Sequence, residues 1–156
     1  MAFSIILEEV DIVNIRPFTP EDITQIISLT NEYASFDSDV TAADFSSAHA
    51  FPQGLLVAEA AGRIVAFIFG YIKEVPGTIL NRWNAQKAAQ INLLVVEPPY
   101  RRQGTGETLM RKLEDAFREE DVDLILLHCP AEATEAKHLY DKLGFEVRAY
   151  AMKKRL

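Results

Sequence analysis

The chain has 156 residues, 49% hydrophobic and 25% charged, enough to bury one substantial core without help from disulfides or a metal. Its net charge of -7 disfavours sequence-independent nucleic-acid binding and is compatible with a cationic amine as substrate. The single cysteine, Cys129, excludes an intramolecular disulfide and falls in an apolar strand pattern, which points to an inert thiol and a reducing compartment, the cytoplasm.

Taken in order, residues 1–7 are apolar but too short to span a membrane. They lack a basic leader and run into Glu8 and Glu9, so they read as an arm or an extra strand. Residues 10–16 read as a strand stopped by Pro17. Thr19-Pro20-Glu21-Asp22 is a helix start, with a capping hydroxyl, a proline in the first turn and two acids near the positive end. Ile23, Ile26, Ile27 and Thr30 then fall on one helical stripe. Past Tyr33 the chain turns polar through Asp37 and Asp39, and 42–49 reads as a second short helix; together these suggest a mobile cover over a site.

Two strand-like runs, 54–60 and 64–74, flank the turn Ala61-Gly62-Arg63 and predict a hairpin. Pro76-Gly77 ends the second run. Residues 78–87 read as a long loop carrying Trp83, which either bears function or packs on the body or in a dimer contact. A strand over 90–96, a helix over 106–119 with Leu109, Leu113, Ala116 and Phe117 on its core face, a buried strand over 123–129 and a helix over 133–143 ended by Gly144 follow. Residues 145–156 leave room for one bent strand or a very tight hairpin. No repeat, low-complexity tract or linker divides the chain, so 1–156 reads as one domain.

The junction Leu94-Val95-Val96-Glu97-Pro98-Pro99-Tyr100-Arg101-Arg102-Gln103-Gly104-Thr105-Gly106 carries the chemistry. It joins an apolar strand to a helix through two closely spaced glycines. The first amides of that helix have no intrahelical partner, and the macrodipole adds positive potential, so the run predicts a site for a phosphate-bearing ligand. It lacks the Gly-Lys-Ser/Thr ending of a Walker loop and the third glycine of a dinucleotide fingerprint. The run resembles instead the pyrophosphate loop of the GNAT superfamily, the acyl-CoA-dependent N-acyltransferases, in which a strand and a proline precede Arg/Gln-x-x-Gly-x-Gly/Ala. Arg101, Gly104 and Gly106 fill its fixed positions. Downstream, Leu139-Tyr140-Asp-Lys-Leu-Gly144-Phe145 resembles the second signature of the family, with one helix and one strand between the two.

The resemblance implies an α/β (α+β) fold: a mixed, mostly antiparallel twisted sheet of six to seven strands flanked by about four helices. Its order would be strand, two helices, three strands, helix, strand, helix, strand. It implies transfer of the acetyl group of acetyl-CoA to a primary amine of a small molecule or peptide. The backbone from Arg102 through Gln103, Gly104, Thr105 and Gly106 to Glu107 would take the pyrophosphate, and Leu94, Val95 and Val96 the pantetheine arm. Arg101 and Arg102 would add charge from the side, or form a solvated arginine pair. A backbone amide of Leu94 or Val95 would meet the charge developing on the carbonyl oxygen. Tyr140 matches the position of the acid that protonates the departing thiolate. Its stripe with Ala136, Leu139 and Leu143 equally fits an ordinary core tyrosine.

Two departures stand out. Where some relatives carry a glutamate base early in the strand, this chain has Ala89 and Gln90, leaving relayed water as base, or His128 as a speculative substitute. Where the family often places an asparagine that holds the pantetheine, seven residues before the tyrosine, this chain has Ala133, with Glu132 and Thr134 beside it. An alternative of a different class is therefore a catalytically impaired CoA-binding module with a regulatory or assembly role. Tyr33, Phe36, Asp37 and Trp83, with Asp39, are the acceptor contacts expected, acidic and aromatic groups suited to a cationic amine. A homodimer, with the arm pairing across the interface, stays open beside an arm that covers its own sheet.

Overall fold

A computed structural model describes residues 11–34 and 37–156; the expected N-terminal arm and Phe36 lie outside the described residues. Runs of branched and aromatic residues form a five-stranded sheet in the order β1 (Asn14–Pro17), β2 (Leu55–Ala60), β3 (Arg63–Lys73), β4 (Ala88–Val96) and β5 (Leu124–Leu127). The first four strands are antiparallel and β5 lies parallel to β4. Helices α1 (Ile23–Tyr33), α2 (Gly77–Arg82), α3 (Thr105–Glu119) and α4 (Thr134–Lys142) complete the architecture.

Period-2 alternation along β3 divides the core between two faces. Phe67 and Phe69 pack with Ile26 and Leu29 of α1 and with Phe45. Ala66 and Ile68 pack with Leu109, Met110, Leu113 and Phe117 of α3, and the apolar stripe of α4 joins that side. The β2–β3 turn places Ala61 at φ 50° and Gly62 at φ 77°, the left-handed pair that a two-residue hairpin requires.

One irregularity positions the site. Phe69 pairs with Leu93 and Gly70 with Ile91, which leaves Asn92 as a bulge in β4. The parallel pairing of β4 with β5 stops at Ile91 and Leu127. Beyond the bulge β4 runs on to Val96 against β3 alone, and a gap opens on the side of β5. The start of the same pair is clamped by Asp123, whose carboxylate accepts the backbone N–H groups of Gln86 and Lys87 at 3.0 Å and is thereby held below the usual carboxylate range.

The mixed, mostly antiparallel α/β sheet agrees with the expectation; its strand count does not. Residues 145–156 form no strand, so the sheet has five strands among the described residues rather than six or seven. Strand β5 offers only four residues of edge, and Val147, Tyr150 and Met152 stay exposed beside it. The expected loop over 78–87 instead contains α2. Pro76, read as a stop, seeds it, because its carbonyl accepts the N–H groups of Ile79 and Leu80. The expected second helix is a 3-10 helix, Ala42–His49. Its Asp44 turns back to accept the Thr41 N–H, and Ser46 and Ser47 are poor α-formers.

Candidate active site

At the mouth of the β4–β5 gap, the turn into α3 is built from left-handed backbone: Arg102 at φ 61° and Gly104 at φ 81°. Gly104 is the N-cap residue and offers no side chain to the helix. Among the described residues, the backbone N–H groups of Arg102, Gln103, Gly104, Thr105, Gly106 and Glu107 find no acceptor. Six consecutive amides at a helix N-terminus, with alternating left-handed residues, form a concave anion nest. The turn is held from behind. Tyr100 is buried, its hydroxyl donates to Asp11 at 2.5 Å, and Arg63 lies over its ring. A side chain at Gly106 would touch Leu139, Val96 and Leu94 at 3.5 to 3.9 Å, so α3 begins close against both β4 and α4.

The two arginines at the turn are engaged differently. Arg101 Nε donates to the Val96 carbonyl at 2.7 Å, and its guanidinium sits 5.9 Å from the Tyr33 ring centre. That contact occupies the Val96 carbonyl, and because the Glu97 N–H donates to Val65 of β3, antiparallel alternation turns the Val95 backbone toward Phe67 and leaves Leu94 on the free edge. Arg102 is exposed and pairs with Glu135 of α4 at 2.6 Å, which holds the Glu135 carboxyl below its ordinary range. Glu107, in the first turn of α3, is likewise lowered by Lys142 and then Arg111. The two carboxylates nearest the nest are thus neutralised by ion pairs.

Tyr140 is 9% exposed and lies on α4 against the α3 side of the core, its ring edge-on to Phe145. Burial, and secondarily Cys129, pushes its hydroxyl up to about 12. No protein group among those described accepts or donates to this hydroxyl, and no buried side-chain oxygen is left unpaired, so Oη opens to space rather than into packing. That space is a cavity of about 1140 Å³ running along β5, lined also by Lys73, Trp83, Gln90, His128, Cys129 and Arg148. The stripe position of Tyr140 and an open hydroxyl therefore coexist.

The remaining expected residues divide. Trp83, at the C-terminus of α2, lines the cavity beneath the Arg148 guanidinium at 4.6 Å. Tyr33 lies outside that cavity, under Arg101, and its hydroxyl is raised mainly by donation to Glu32. Asp37 is exposed and does not line the cavity, so the acidic acceptor wall expected from it is not assembled there. His128 is exposed just past β5. Cys129 donates weakly to the carbonyls of Pro130 and Ala133, and burial raises its thiol, as an inert cysteine requires. Ala133 caps α4 without a side-chain bond. Lys73 and Arg148, which the sequence did not single out, also line the cavity.

A bulged strand that parts from its parallel neighbour, with an amide nest at the mouth of the gap and a buried phenol beside it, defines a scaffold for an extended ligand with an anionic end. The chain belongs to the Acetyltransferase (GNAT) family, whose model matches residues 21–145. Among solved structures it is similar to Ard1 from Thermoplasma volcanium, at 27% identity and a TM-score of 0.71 over 88% of this chain and 84% of that one. It shares its fold with Naa20 from Chaetomium thermophilum in complex with a bisubstrate analogue, at 23% identity and a TM-score of 0.72 over 86% and 71% of the two chains. It also shares it with Arabidopsis thaliana Naa50 in complex with the bisubstrate analogue CoA-Ac-MVNAL, at 20% identity and 0.69 over 88% and 85%. No curated protein matches by sequence.

Proposed function

We propose that the chain transfers the acetyl group of acetyl-CoA to a primary amine by direct attack. The observation that carries this reading is the run of six unpaired amides, Arg102 to Glu107, at the open end of the β4–β5 gap. A pyrophosphate supplies the anion such a nest accepts, and a pantetheine arm carries amide groups that can pair with the free edge at Leu94. Naa50 in complex with a CoA-containing bisubstrate analogue and an aminoglycoside N-acetyltransferase in complex with CoA adopt the same fold.

The residues of this chain then act in sequence. The nest and strand edge hold the thioester so that the acceptor nitrogen meets its carbonyl carbon, an orientation effect worth up to ~7–11 kcal/mol in the best cases. Of the two amides expected for this role, that of Leu94 faces the gap, and it donates to the carbonyl oxygen as charge develops there. The C–N bond forms, the C–S bond breaks, and the Tyr140 hydroxyl donates to the departing sulfur; the amine proton leaves to water. Because burial holds the phenol near 12, Tyr140 keeps its proton at neutral pH and stabilises the thiolate chiefly as a hydrogen-bond donor.

Ala133 and Gln90 favour a second reading, a CoA-binding module without efficient turnover, because neither supplies the hydrogen bond or the carboxylate of the fuller pattern. Release of free thiol from acetyl-CoA across a panel of small amines and N-terminally free peptides separates the two. Amine-dependent release supports the enzyme. CoA binding with no release from any amine supports the module.

A further inference from the structure

Strand β5 has the composition of an internal strand and the position of an edge. Leu124, Ile125, Leu126 and Leu127 are all apolar, the pattern of a strand covered on both faces within a sheet, yet each stays only half-buried. Exposed edges ordinarily carry a charge or a proline. Strand β1, at the other end of the described sheet, has both in Arg16 and Pro17, and β5 has neither. Among the described residues β5 pairs with β4 alone, and all four of its residues line the cavity of about 1140 Å³. Residues 143–150 line the same cavity, but from Glu146 onward the chain makes no backbone hydrogen bond among the described residues. Val147, Tyr150, Met152 and Leu156 are four of the six large apolar side chains exposed on the described surface. Residues 145–156 contain no glycine, proline, asparagine or aspartate. They lack the turn chemistry that would fold 150–156 back into the cavity of their own protomer.

We infer that two copies of this chain associate by strand exchange, residues 150–156 of each copy adding to the free edge of β5 in the other and running antiparallel to it. Charge sets the direction. Glu119, Glu120, Asp121 and Asp123 stand exposed immediately before β5, and an antiparallel segment brings Lys153, Lys154 and Arg155 of the second copy to that end. A parallel segment would carry the three cations away from the acids. Seven extended residues reach about 23 Å against about 13 Å for β5, at ~3.3 Å per residue, so the apolar part covers the strand while the basic part projects past its start. The exchange is reciprocal, as a two-fold pair requires, and it pairs backbone groups that the isolated copy leaves open. The incoming strand also narrows the cavity that contains Tyr140, so the second copy completes a wall of the candidate site.

Sedimentation velocity of the whole chain over about 1–100 μM tests this, with wild type expected as a dimer at the upper end. Met152→Pro, which bars a regular strand, and deletion of residues 150–156 are each expected to raise the dimer Kd at least about tenfold. The thermal midpoint of the diluted monomer should not move in either variant, because the segment is exposed there. The combined variant Lys153→Glu, Lys154→Glu and Arg155→Glu is expected to weaken the dimer by a similar factor, and added salt to weaken that of wild type. A wild type that stays monomeric throughout, or a dimer indifferent to both the proline and the deletion, would overturn the inference. So would hydrogen exchange showing residues 150–156 protected in the monomer, since that would place the segment in the cavity of its own protomer.

Discussion

At the scale of single residues, Tyr140 and Asp22 show how burial assigns different work to two polar groups. Tyr140 is buried without a partner for its hydroxyl, and its proton is accordingly hard to remove. Tyr140→Phe is expected to lower kcat by about 100-fold, within the range of a lost proton donor, while the acetyl-CoA Kd changes less than twofold. Steady-state kinetics with calorimetry check this, and an unchanged kcat removes Tyr140 from the mechanism. Since the phenol is raised in the folded state, it stays protonated as pH rises through 10, and turnover should not fall there on its account. Stability behaves in the corresponding way: the contribution of Tyr140 is whole below the ordinary tyrosine range and is lost as pH climbs from there toward 12.

Asp22 is buried and ionised. It accepts Arg16 bidentately at 2.8 and 2.9 Å and the Thr19 N–H at 2.7 Å, and the Arg16 hydrogen bonds hold its carboxyl below the usual range. Arg16 also reaches Glu59, so this cluster ties β1, β2 and the start of α1 together. Asp22→Ala leaves Arg16 half-matched and should cost about 2–4 kcal/mol in urea denaturation. With a depressed folded-state pKa, the contribution of Asp22 is present above the ordinary aspartate range and is lost as pH falls below about 4. A midpoint insensitive to the substitution would show that the cluster carries no stability.

At the scale of elements, the gap depends on how tightly β2, β3 and β4 approach one another around the Asn92 bulge. A side chain on Gly54 would lie 2.1 Å from the Gly70 carbonyl oxygen, and one on Gly70 would lie 2.9 Å from that of Gln90. Gly54→Ala is expected to destabilise by about 1–3 kcal/mol, since backbone rather than a flexible side chain must yield. Thermal unfolding with an unchanged midpoint would mean that the strands can part without cost. These requirements were not legible beforehand, because a close approach depends on pairing register, which local periodicity does not report. The strand-turn-helix of the nest was legible because Gly104 and Gly106 advertise it, and the amphipathic stripe of α3 was equally plain. By contrast, α2 was hidden behind Pro76, whose ring suggested termination although its carbonyl begins the helix. The expected sixth strand came from the family resemblance and from the room that residues 145–156 leave, and a strand forms only where a neighbouring edge binds it.

At the scale of the whole molecule, two helical layers close the sheet, with the nest at the turn into α3 and the cavity along β5. Residues far apart in sequence meet there: Arg101 with Tyr33, Arg102 with Glu135, Arg148 with Trp83. The loop signature foretold Arg101 and Arg102, and Trp83 was singled out in the sequence, while their partners Tyr33, Glu135 and Arg148 came from folding. Asp37 stands apart from the cavity for the same reason, since net charge says nothing about where individual charges assemble. None of the described helices is long and apolar enough to cross a membrane.

The most direct test of the central claim is calorimetric titration of the protein with acetyl-CoA and with CoA, beside a Gly104→Trp variant confirmed to be folded. A side chain at Gly104 meets no protein atom within 4 Å, so the indole has room to stand in the nest, although the left-handed φ adds strain. One-to-one binding to wild type that the variant loses at least 30-fold is the predicted result; absence of binding to well-folded wild type, or equal binding to both, would contradict it.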